Sequence, residues 1–121
     1  MISLVGSYGS KKVAAESESD PIGQIIAERT LEVTSPDGRV DNLRIRLAAP
    51  VCSDGWEHRC YWEFVASGYR EVRYAAGADG FQAIHHATRM IGVNLGCLAR
   101  EKGYKLTFEG SEDIGFPDYN D

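Results

Sequence analysis

The apolar pattern of this chain changes period once, and that change constrains the fold more than any other feature. From residue 25 to residue 74 apolar and polar side chains alternate; from residue 79 to residue 102 apolar ones recur at steps of three and four. A period of two belongs to half-buried strands, and steps of three and four to one stripe of an amphipathic helix. Strands first and a single helix after them specify an α+β domain rather than repeated βαβ units.

The strand region divides into two hairpins. Ile25, Ala27, Leu31 and Val33 share one face, with Glu28, Thr30 and Glu32 on the other. Arg29 breaks the apolar side, which suits a sheet margin. Ser35-Pro36-Asp37-Gly38 supplies turn chemistry, since Pro presets φ, Asp bonds its own backbone and Gly accepts positive φ. Leu43, Ile45 and Leu47 then point inward, with Arg44 and Arg46 outward. Ala49-Pro50 ends that strand, and Ser53-Asp54-Gly55 reads as a polar loop. Beyond it Cys60, Trp62, Phe64 and Ala66 fall on one face, and Tyr61, Glu63 and Val65 on the other. Ser67-Gly68 is a tight-turn signal, after which Val72 and Tyr74 alternate with Glu71 and Arg73.

The helical stripe runs through Phe81, Ile84, Thr88, Ile91, Leu95 and Leu98, widened by Ala87 and Met90. Asp79 is placed to cap it, with Gln82 three residues on, and Gly103 to end it after Arg100 and Lys102. Gly92 and Gly96 weaken the interior by about 1 kcal/mol each relative to Ala. Their common side suggests close packing against the sheet, with a break near Gly96 as the alternative. Tyr104, Leu106 and Phe108 mark a short last strand. The expected architecture is a meander-like antiparallel sheet of four to five strands packed on one long C-terminal helix.

Three segments follow from this pattern: residues 1–23, rich in Gly, Ser and charge and expected to be flexible; a single domain at 24–108; and an acidic tail at 109–121. Ile2, Leu4 and Val5 have the content for one more short strand. The net charge of −5 resides in the tail, where Glu109, Glu112, Asp113, Asp118 and Asp121 meet no base. That balance argues against nucleic-acid binding by phosphate neutralisation. No apolar run is long enough for a membrane span, and the start lacks a signal-peptide n-region. Three cysteines at scattered spacings read as reduced thiols, so a cytoplasmic location is expected.

Cys52, His58, Cys60, His85, His86 and Cys97 include no Cys-x-x-Cys or His-x-x-x-His spacing, so no metal ligands and no cofactor are assigned. A Cys–His pair from Cys52 or Cys60 with His58 or His86 has no local motif behind it, and no catalytic residue is assigned. The residues best suited to a partner surface are Trp56, Tyr61 and Tyr69, as exposed aromatic anchors, with Glu109, Glu112, Asp113, Phe116 and Asp118 of the tail. They imply a protein partner, and the acids suit a basic one.

The order of these segments carries a resemblance. Ile26-Ala27-Glu28-Arg29-Thr30-Leu31-Glu32-Val33, then the stretch from Val40 through Leu43-Arg44-Ile45-Arg46-Leu47 to Pro50, then Trp56 with Cys60-Tyr61-Trp62, then Asp79-Gly80-Phe81-Gln82-Ala83-Ile84 leading to Met90-Ile91-Gly92-Val93-Asn94-Leu95, resemble a family of small uncharacterised bacterial proteins over residues 25–98. The resemblance implies a structural unit and carries over no functional residue. At the level of size, acidity and fold the chain is also similar to immunity proteins of bacterial toxin systems. Three readings follow: a non-catalytic protein-binding module such as an immunity or inhibitor protein, which is the preferred one; a ligand-binding or enzymatic domain with a pocket between helix and sheet; and a homo-oligomeric structural module.

Overall fold

The computed structural model describes residues 11–13 and 22–119. Its strands are β1 (Lys11–Val13), β2 (Ile25–Thr34), β3 (Val40–Ala48), β4 (Val51–Ser53), β5 (Glu57–Ala66), β6 (Tyr69–Gly77) and β7 (Lys105–Thr107), with one helix, α1 (Gly80–Lys102), between the last two. All pair antiparallel in the order β1-β6-β5-β3-β2-β7, with β4 alongside β5. The four long strands form the expected meander, and the sheet curls into a half-barrel around the helix. The strands β1, β4 and β7 have three residues each. β1 falls within the segment whose composition indicates no element, and the option at Ile2, Leu4 and Val5 lies outside the described residues.

Both expected hairpins are present, and their turns set the register. Ser35 accepts from Gly38 and donates to Arg39 across the first turn, at 2.9 and 2.8 Å. This aligns Leu31 with Leu43. Neighbouring rows continue across the sheet, Ile45 beside Phe64 and Leu47 beside Trp62. These side chains form the inner face and are buried. The two-residue turn at 67–68 aligns Ala66 with Tyr69, and therefore Phe64 with Glu71 and Trp62 with Arg73. The apolar residues of β6, Val72 and Tyr74, consequently face outward, opposite to Trp62 and Phe64.

The helix begins and ends where its capping residues place it. Asp79 accepts from the Gln82 amide at 2.8 Å, and Gln82 reaches back to the Ala78 amide at 2.6 Å. Gly103 takes φ +70 and closes the last turn. The stripe itself is corrected at its N-terminal end: the buried positions are Ala83, Ala87, Ile91, Leu95 and Leu98, while Phe81 is 87% exposed. The first turn lies so close over Gly77 that a Cβ there would meet the Ala83 amide. Only a small residue fits at the contact, so the helix turns Ala83 rather than Phe81 to the sheet.

Gly92 and Gly96 do not pack on the sheet, and the helix runs unbroken past both. A Cβ at Gly92 would collide with the Pro117 carbonyl, and one at Gly96 with that of Tyr119. The segment after β7 crosses the helix there, fixed by Ile114, which is 1% exposed.

Candidate functional site

The expected partner residues separate into two groups on opposite sides of the molecule. The first lies on the outer face of the sheet. Asp54 and Gly55, at φ +59 and +82, turn β4 into β5 and leave Trp56 at the tip, 73% exposed. Along β5 the outward residues are Glu57, Arg59, Tyr61, Glu63 and Val65. Tyr61 lies opposite Tyr74, with ring centroids 5.2 Å apart. The Arg59 guanidinium sits 4.7 Å from the centre of the Tyr74 ring and is held by Glu57 at 2.6 Å. The bonds from Glu57 and then Tyr61 push its pKa further up, so it is a fixed cation. Val51 faces Arg59 from β4 and is exposed, as is Tyr74. Further along the same face Glu63 is buried and bonds both Arg46, at 3.0 Å, and Arg70.

Tyr69 does not belong to this surface. It pairs with Ala66 at the start of β6, on the inner side, and is 7% exposed. Tyr74 and Val51 do belong to it, though the strand pattern alone does not mark them. Counting outward from the turn at 67–68 places Tyr74 opposite Tyr61 and would have found the first.

The tail residues form the second group, against the helix. Glu109, at φ +49, and Gly110 close a tight turn in which Phe108 and Ser111 exchange backbone bonds at 2.8 and 2.9 Å. Glu112 pairs with Lys105 at 3.6 Å, both exposed. Asp113 accepts from the Gly115 amide at 3.0 Å. Asp118 bonds Arg89 at 2.6 Å. Phe116 is half-buried beside Arg29, whose guanidinium carbon is 5.1 Å from its ring centre and 4.5 Å from that of Phe108. Arg29 Nη1 donates to the Ile114 carbonyl at 2.8 Å. Two of these acids are therefore paired within the chain and the other two shape turns.

Between these layers an open cleft of about 370 Å³ separates β2 and β3 from α1 and the tail, with Ile45 and Leu47 at its floor. Cys52, His58 and His86 do not line it. Cys52 and His58 are register partners on β4 and β5. Cys60 is buried with its thiol 3.4 Å from the Ala48 carbonyl, and burial pushes its pKa up to about 11. His86 Nδ1 lies 3.0 Å from the Ala76 carbonyl. Among the described residues no group of three His, Cys, Asp or Glu side chains is placed to hold a metal ion, and no helix is long and apolar enough to cross a membrane.

Residues 27–118 match the model of a family described as a domain of unknown function, DUF6968, and the chain belongs to that family. The match extends through the tail that packs on the helix, beyond the 25–98 of the sequence resemblance. No curated protein and no solved structure matches the chain.

Proposed function

We propose that this member of the DUF6968 family is a non-catalytic protein-binding module that acts by occupying a partner, as an immunity or inhibitor protein does. Its contact surface is the outer face of β4, β5 and β6. The observation that carries this reading is the row of Val51, Arg59, Tyr61 and Tyr74 across β4, β5 and β6, with the exposed Trp56 at the β4–β5 turn at its end. Aromatic side chains supply large contact area, and the tilted tyrosine pair is held in place with Arg59, so binding costs little conformational entropy. On the outer face Arg44, Arg46, Arg59 and Arg70 are paired with Glu28, Glu57 and Glu63. The partner surface that fits is apolar, with hydrogen-bonding groups for two phenols and a guanidinium. A strongly basic partner is less well served, because Lys105 and Arg89 already answer two of the tail acids.

The test is capture from the source lysate with three baits: the full chain, the Trp56→Ala/Tyr74→Ala variant, and the Glu109→Gln/Asp113→Asn variant. One stoichiometric partner is expected with the first and third and none with the second. Loss with the tail variant alone would move the contact to the tail, and no partner with any bait would remove the reading. A second copy docking on the same face would appear in light scattering as a dimer that Tyr74→Ala returns to monomer.

A ligand-binding reading has the cleft beneath α1 in its favour. Its residues differ from the thiols and imidazoles of the sequence expectation, and they point to a definite ligand chemistry.

A further inference from the structure

We propose that the cleft between β2 and α1 binds a small monocarboxylate with an apolar body, and that Arg29 receives the carboxylate. The site lies on the opposite side of the sheet from the protein-binding surface and is independent of it.

The layer that covers α1 leaves a gap beside its buried stripe. Ile91, Leu95 and Leu98 are buried, but one turn before Ile91 the helix presents Thr88 to an open space. Ile45 and Leu47 form the floor of that space, and Phe116 and Pro117 the far wall. Its volume of about 370 Å³ falls at the lower end of the range of small-molecule pockets, roughly 300–1,000 Å³.

Arg29 supplies the polar anchor. It stands on the inner face of β2, opposite Ile45, where its neighbours Leu31 and Val33 are core residues. The Ile114 carbonyl, at 2.8 Å, and the rings of Phe108 and Phe116 fix the guanidinium in place. None of these neutralises it. Among the described residues no carboxylate pairs with Arg29, and one of its five N–H donors is bonded. Glu28 also borders the cleft, but its carboxylate turns to Arg46 and Arg44 on the outer face, at 3.6 and 3.9 Å. A fixed, half-buried guanidinium with spare donors is complementary to a carboxylate. The apolar floor and walls disfavour a compact, strongly hydrated anion such as phosphate, which would lose its water without replacement. An apolar body joined to one carboxylate satisfies both parts of the cleft.

The experiment is a heteronuclear NMR titration of the full chain at neutral pH with octanoate and with phenylacetate, each compared with its own primary amide. Both acids are expected to shift the amide signals of residues 27–29, 45–47, 88–91 and 115–116. The amides should bind about tenfold more weakly, the effect of losing one charge-assisted hydrogen bond. Arg29→Gln should abolish the preference for acid over amide. Because Arg29 also holds the tail, Ala27→Phe is the second variant; it fills the cleft, leaves the Arg29 bond to the Ile114 carbonyl in place, and should remove binding of both acids. Equal binding of acid and amide, shifts confined to residues 51–61 and 72–76, or no shift at the cleft with either acid would overturn the proposal.

Discussion

Cys60 and Glu63 lie three residues apart on β5 and are buried for different reasons. The Cys60 thiol is neutral in the fold, and burial raises its pKa from 9.0 to about 11. The unfolded chain therefore loses this proton first as pH rises. The stabilising contribution is complete below pH 9.0 and is lost as pH climbs through about 11. Denaturant midpoints of the wild type and Cys60→Ala should accordingly converge over that interval, and a constant gap between them would contradict the assignment. Glu63 pairs with both Arg46 and Arg70 and has almost no exposure. Replacing it by Gln leaves buried positive charge behind, at a cost of about 3 kcal/mol. Glu28, whose side chain is 44% exposed in its pairs with Arg44 and Arg46, should cost less than about 1 kcal/mol when changed to Gln, because solvent screens such pairs. Equal losses for Glu63→Gln and Glu28→Gln in chemical denaturation would show that the buried network is not what stabilises this face.

The crossing of the tail over α1 is the element-scale feature most open to test. In an isolated helix Gly92→Ala would gain about 1 kcal/mol. Here the new Cβ meets the Pro117 carbonyl, and overpacking of this kind costs about 1–3 kcal/mol. Gly92→Ala should therefore destabilise the full chain, and the same substitution in the 1–108 chain should be neutral or stabilising. A thermal-melt cycle over the four proteins measures the coupling; additive effects would mean that the tail does not rest on the helix. This crossing was legible in the sequence only as a glycine pair that suggested close packing on the sheet, because the groups that touch it are backbone carbonyls of the tail. The hairpins and helix ends were legible because turn and capping residues act locally: Pro36, Asp37 and Gly38, then Asp79 and Gly103. The outward direction of Val72 and Tyr74 was not, since alternation is symmetric and only the register at 67–68 breaks the tie. Phe81 was misplaced because a periodic stripe does not reveal how closely the first turn approaches the sheet.

At the scale of the whole molecule the helix is a return path. Its 23 residues cover roughly 35 Å at about 1.5 Å each, carrying the chain from β6 back to the far side of β2, where β7 and the tail complete the layer. The fold thereby buries one sheet face and presents the other. The residues available for function divide in the same way, with the Arg29 cleft beneath the helix and the aromatic cluster on the open face. Of that cluster, Trp56 and Tyr61 were visible as residue types in suitable positions, while Val51 and Tyr74 join them only through strand pairing. The central claim is that the open face is where a partner binds, and hydrogen exchange on the captured complex tests it most directly. Slowed exchange on binding is expected in residues 51–61 and 72–76, with the tail and the cleft unchanged. Protection confined to residues 109–119, or to the exposed side of α1, would contradict the account.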